Sequence, residues 1–261
     1  VSMVVTETLE QESVSMGVVK NYSGEVGPGM DRLDIPLFGL LPVQDVNETT
    51  GLVASAGSAS TALLALDQHK GTGWFLSVKA NIQMKVSVID ANVKNSARSL
   101  AAEVDDYIYG AMVTAKGGAS IEVDAADVLS SVVAASKRMD EANIPKSGRF
   151  LNAGPGFMSL LKQENNIINA EKYGSTNAIQ AGYVTRLYGF DIVESSSSSI
   201  PANGFIANHM DAFAFARQIQ PRLDREFKAL QQREEYAMTH LYGAIATDSG
   251  SERIIVAEDL V

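Results

Sequence analysis

Cysteine is absent from the 261 residues, which excludes disulfides and thiolate metal sites. Histidine occurs three times, at His69, His209 and His240, too far apart for ligand spacing, so no metal centre is expected. Basic residues are in deficit: 21 Lys and Arg stand against 31 Asp and Glu, a formal charge of −10. Nucleic-acid binding through phosphate neutralisation needs a basic patch, and none is visible. No run of about 18 apolar residues occurs, so no helical membrane span is expected. Val1 to Glu12 hold acids and no base, unlike a secretory signal. A valine at position 1 is expected of a chain trimmed or taken from a longer polypeptide.

Catalytic signatures are missing as well. Ser58 and Ser60 lie outside any G-x-S-x-G elbow. Gly154-Pro155-Gly156 is a lone G-x-G in which Pro155 removes an amide a phosphate cradle would use, so it reads as a turn. Glu103, Asp105 and Asp106 cluster on one helix. They read as a solvated face rather than an acid–base pair. No catalytic, cofactor-binding or metal-binding residue is expected.

What the chain does have is pattern. Asp34 to Val43 and Leu63 to Asp67 are extended apolar segments around a small-residue tip, and Gly73 to Val78 extends again. From Val88 the apolar residues fall at 89, 93, 97, 100, 104, 108 and 112, one stripe of a long helix over about 88–113. Ser87 with Asp90 resembles its capping box. A hairpin alone is marginal in water, so an arm of this kind needs a surface to lie on, and a neighbouring subunit is expected to supply it.

A second helix is expected from an Asp124 N-cap to Pro145, with Val128, Leu129, Val132, Val133, Ala135 and Met139 on its apolar face. Arg149–Ala153 reads as a strand, and Pro155 as the first position of a short helix. Gly189 to Val193, Phe205 to Ala207 and Arg253 to Glu258 read as strands, Ala237 to Thr247 as an extended segment, and Ser195 to Ser199 as a loop. Arg217 to Arg233 mixes signs and reads as a solvated charged face or a charge-paired subunit contact. The irregular mixture favours α+β.

In this order the parts resemble the major capsid proteins of tailed phages, the Hong Kong 97 fold also seen in encapsulins. The resemblance rests on Asp34-Ile35-Pro36 with Phe38-Gly39, Leu66-Asp67 through Lys70, and Asp105-x-Tyr107-Ile108. It rests further on Ile144-Pro145 with Arg149 and Pro155, Gly189-Phe190, and Tyr242-Gly243. It implies an N-terminal arm over 1–29 that crosses a neighbour, an E-loop hairpin over 30–80, and a P-domain with the spine helix over 81–118. An A-domain over 119–214 and P-domain return strands over 215–261 complete the scheme. It implies a non-enzymatic shell protein, self-assembling into pentamers and hexamers and located in the virion after assembly in the host cytoplasm. Scaffolding and portal proteins, and in some relatives a decoration protein, would be its partners. The shell would enclose double-stranded DNA without specific binding. Phe38, Leu40, Leu41, Leu64, Leu66, Trp74, Arg222 and Arg225 are the expected inter-subunit contacts. An encapsulin-like shell and an α+β enzyme using Glu103 and Asp106 are the alternatives.

Overall fold

The apolar stripe from Ile89 to Met112 becomes one helix, α2, Val88–Thr114, of 27 residues, about 40 Å long at 1.5 Å per residue. A shorter helix, α1, Val78–Gln83, precedes it. The structure is a computed structural model. It describes residues 13–38, 43, 45–46, 59–83, 88–124, 127–163, 186–247 and 252–259. Val93, Ala97, Leu100, Val104, Ile108 and Met112 are all buried. The stripe meets two different layers. Val93, Ala97, Leu100 and Ala101 pack on Met238, with Trp74 and Leu223 beside it. Val104, Ile108, Tyr109 and Met112 pack on Phe213, Phe215, Ile206, Ile254 and Val256.

The first layer is a four-stranded sheet in the order β1 (Lys20–Asn21), β10 (Phe213–Lys228), β11 (Arg233–Ala246), β4 (Gln68–Ser77). β10 and β11 form a long antiparallel hairpin from Phe213↔Ala246 to Lys228↔Arg233. Gln232, in the left-handed region at φ 49°, closes its tip. β4 alternates as period two requires, with Leu76 buried and Phe75 exposed.

The second layer has six strands: β5 (Ile121–Glu122), β12 (Ile254–Glu258), β9 (Phe205–His209), β6 (Arg149–Ala153), β8 (Phe190–Glu194) and β7 (Arg186–Leu187). Both faces are covered, which accounts for the unbroken run Ile254-Ile255-Val256-Ala257. Ile255, Ala257, Leu151, Phe205 and Ala207 pack with α3 (Val128–Glu141) and α4 (Pro155–Gln163). Ile254, Val256 and Ile206 pack with α2. On that face Tyr109 Oη donates to Asn152 Oδ1 at 3.3 Å, and Asn152 Nδ2 donates to Asn208 Oδ1 at 2.7 Å.

The third piece is the hairpin of β2 (Arg32–Phe38) and β3 (Ala59–Ala65), in register from Arg32↔Ala65 to Phe38↔Ala59. Its base is not free. Leu33, Ile35, Leu64 and Leu66 pack on Ala214 and Ala216 of β10. Gly243 makes the approach feasible, because a Cβ there would overlap the Ala65 carbonyl oxygen.

Several expectations change. Residues 13–30, read as an arm across a neighbour, run over their own chain. Val18 and Val19 are buried against α2, β1 pairs in parallel with β10, and Asn208 Nδ2 donates to the Val18 carbonyl at 2.8 Å. The strand 254–258, grouped with the return strands, joins the six-stranded sheet because its two faces fit α2 and α3. Asp127 caps α3, accepting from the Ser130 amide, in place of Asp124. Val133 lies off that helix's buried face. Arg217 to Arg233 is the long hairpin itself, with cross-strand and same-strand ion pairs. Ser87, Leu40 and Leu41 lie outside the described residues.

Candidate inter-subunit surface

Burial within the single chain sorts the expected contacts. Phe38 is 81% exposed. Register places it with Pro36, Thr61 and Leu63 on the outer face of the β2–β3 hairpin. Leu63 is 51% exposed. Leu64 and Leu66, expected at a subunit contact, are buried inside the chain, because the inner face of the hairpin lies on β10. Trp74 is half-buried and stacks on Tyr236, with centroids 5.4 Å apart and planes 8° from parallel. Arg222 pairs with Asp224 of its own strand at 3.1 Å. Arg225 pairs with Glu234 across the β10–β11 hairpin and sits 6.0 Å from the Tyr236 ring.

The Arg225–Glu234–Tyr236 group is linked. Tyr236 Oη donates to Glu234 Oε2 at 2.5 Å. That bond and then Arg225 hold the Glu234 carboxyl below the usual carboxylate range. Burial, followed by Glu234, raises the Tyr236 phenol.

Other exposed apolar side chains escaped sequence reasoning. Leu230 is fully exposed at the β10–β11 tip, with Phe227 half-exposed nearby in sequence and Ile82 exposed on α1. Phe75 is exposed under the Arg233 guanidinium, 4.7 Å from its centroid. The signal was present: Phe227 and Leu230 are large apolar residues inside a charged run, with no periodicity to bury them. A third exposed place, Val133 and Tyr188, lies on the α3 side of the six-stranded sheet beside Ser136 and Lys137.

The carboxylates of the helix cluster are engaged by their own chain, with Glu103 exposed, Asp106 half-buried and Asp105 buried. Glu103 pairs with Lys70 at 2.7 Å. Asp105 is buried and accepts from the Ser13 hydroxyl and from the Val14 and Ser15 amides. Asp106 accepts from the Ser197 hydroxyl and the Ser198 amide, so the serine loop is anchored on α2. At Gly154 a Cβ would meet the Pro201 carbonyl oxygen at 2.8 Å, so this glycine lets the 201–204 loop lie on the start of α4. His69 is exposed. The buried ring of His209 has Nε2 3.1 Å from the Ser147 carbonyl, and burial lowers its pKa. Among the described residues no group of three His, Cys, Asp or Glu is placed to hold a metal ion. No described helix is long and apolar enough to cross a membrane.

No family model and no curated protein matches the sequence. Solved structures do match. A Mycobacterium phage Che8 structure aligns with TM-score 0.78 and 22% identity over 94% of this chain and 90% of that one. The capsid structure of the cyanophage P-SCSP1u aligns with TM-score 0.77 and 16% identity over 94% and 87%. The cyanophage Pam1 capsid asymmetric unit aligns with TM-score 0.69 and 15% identity over 92% and 87%. Likeness at this identity, extending over nearly the whole of both chains, establishes architecture: this chain has the Hong Kong 97-type fold found in phage capsids.

Proposed function

We propose that this chain is the major capsid protein of a tailed double-stranded DNA phage, a non-enzymatic subunit that closes an icosahedral head from hexamers and pentamers. The likeness to capsid structures over 94% of the chain carries the reading. Exposed apolar side chains at three separate places support it. Phe38 with Leu63, Phe227 with Leu230, and Val133 with Tyr188 lie on different parts of the fold, as a subunit with several neighbours requires.

In this reading the outer face of the hairpin, with Leu40 and Leu41 beyond it, lies on an adjacent subunit. Trp74, Arg222 and Arg225 belong to the same sheet as the β10–β11 tip and border the contact made there. The domain scheme is kept as a proposal with two amendments: residues 13–30 fasten to their own chain, and 254–258 serve the lobe at 119–214. Scaffolding, portal and decoration proteins would be partners, the virion the final location, and the host cytoplasm the place of assembly. The matched structures named above come from phages, which favours a virion shell over an encapsulin. The commitment of Glu103 and Asp106 to Lys70 and the serine loop disfavours the enzyme. Negative-stain microscopy of the expressed chain, with a scaffolding protein supplied, tests the proposal. Closed shells are expected; only small discrete oligomers would refute it.

A further inference from the structure

The strands β4 and β11 set Gln68 opposite Tyr242, Lys70 opposite His240, Thr72 opposite Met238 and Trp74 opposite Tyr236. Strand alternation turns all eight toward α2. Near the end held by Trp74 and Met238 this seam is apolar. Along its whole length it also carries buried polar atoms with no protein partner among the described residues: Thr72 Oγ1, Trp74 Nε1, Tyr242 Oη and both ring nitrogens of His240. His240 is fully buried, its ring 4.8 Å from that of Tyr242.

The groups around it are unevenly charged. Lys70 stands opposite on β4, and Arg217 of β10 acts on the imidazole as a second cation. From α2 come Glu103 and Tyr107, the latter edge-on to Tyr242 at 5.6 Å. Asp67 acts on Tyr107. Glu103 acts on Tyr242, and Lys70 already engages it at 2.7 Å. A neutral imidazole fits such a site. An imidazolium would set a buried charge beside Arg217 and make both ring nitrogens donors, and neither has a partner among the described residues.

We propose that the face of β4 and β11 against α2 is an acid-sensitive seam, with His240 as its sensor, so that protonation of this one ring loosens the sheet from the spine helix. Burial, and then Arg217, push the His240 pKa down to about 4 from an ordinary 6.5. The sign follows: the loosened form takes up the proton first. The contact is complete above about pH 6.5 and weakens as pH falls toward 4. The other half of α2 is held by the six-stranded sheet through Ile206, Ile254 and Val256.

The chain contains a single tryptophan, and Trp74 sits in this seam, so its fluorescence reads the contact directly. The full-length, unassembled chain is titrated from pH 7.5 to 4. A reversible emission change is expected within that range, unaltered in His69→Gln and abolished or moved to lower pH in His240→Phe. Superimposable curves for the wild type and His240→Phe would overturn the proposal. Should His240→Phe fail to fold, the three wild-type imidazoles are titrated by NMR, assigned through His69→Gln and His209→Gln. His240 is expected to titrate far below the ordinary 6.5. A midpoint at or above 6.5 for His240 would overturn the proposal equally.

Discussion

The hydroxyl of Ser13 donates to Asp105 Oδ1 at 2.7 Å across 92 positions of sequence. This fastens the start of the described chain to the middle of the spine helix. The same carboxylate takes the Val14 amide at 3.1 Å and the Ser15 amide at 3.0 Å. From there residues 18–30 run to β9 and β10: the Gln218 side chain donates to the carbonyls of Gly27 and Met30. The strap thus joins α2, both sheets and the base of the hairpin.

Asp105→Ala leaves these donors facing a hole. Hydrogen bonds to a charged acceptor are each worth about 1.5–3 kcal/mol, so a loss of at least about 3 kcal/mol is expected even with part of the donors rehydrated. Urea unfolding of the unassembled chain measures it. Tryptic cleavage after Lys20 should accelerate as the strap lifts. Asp105→Asn, which keeps one acceptor oxygen, should fall between the two.

Gly243 and Ala65 give a second test. Gly243→Ala would drive a methyl into the Ala65 backbone carbonyl. That requires the hairpin base to move, costing about 1–3 kcal/mol. Gly24→Ala, with nothing within 4 Å of its added carbon, should change stability by less than about 0.5 kcal/mol. Thermal unfolding of the two variants checks the contrast.

Surface and core should separate assembly from folding. Ile108→Ala, at a fully buried position, should cost about 2–5 kcal/mol. Phe38→Ser and Leu230→Ser, both at exposed positions, should leave urea unfolding of the unassembled chain unchanged and reduce the yield of sedimenting particles. Normal particle yield in both serine variants would remove these residues from the proposed contacts.

With a charge of −10, assembled shells should show no salt-sensitive duplex affinity in the sub-micromolar range. Filter binding across a salt series checks this. Tight binding that weakens steeply with salt would mean a basic face absent from the net charge.

The spine helix and strand 149–153 were legible because each has a period and a boundary residue of its own. The Ile89–Met112 stripe needs no knowledge of partners to be read as a helix. The outer half of β10 was not legible as a strand. The register of the hairpin shifts between Arg217 and Ile219 and again before Arg222, which breaks the alternation, and Asp224 to Phe227 are exposed in succession. The burial of Leu64 and Leu66 was hidden for another reason: alternation identifies a strand with an apolar face but not what covers it. The cover, Ala214 and Ala216, lies about 150 residues on. The serine loop and the Asp105 and Asp106 carboxylates looked like unrelated polar segments, since only the fold brings them together.

The central claim is that a folded subunit reaches its neighbours through the outer part of the hairpin. Phe38 and Ala59 are paired in register. Residues 39–58 can therefore be replaced by Asn-Gly, which closes a two-residue type I′ turn. The replacement keeps Leu33, Ile35, Leu64 and Leu66 on β10. Particle formation by the shortened and full-length chains is compared by electron microscopy, with cooperative urea unfolding as the control for folding. The account predicts a shortened chain that unfolds as the full-length one does and forms no closed shells. Normal closed shells from the shortened chain would contradict it.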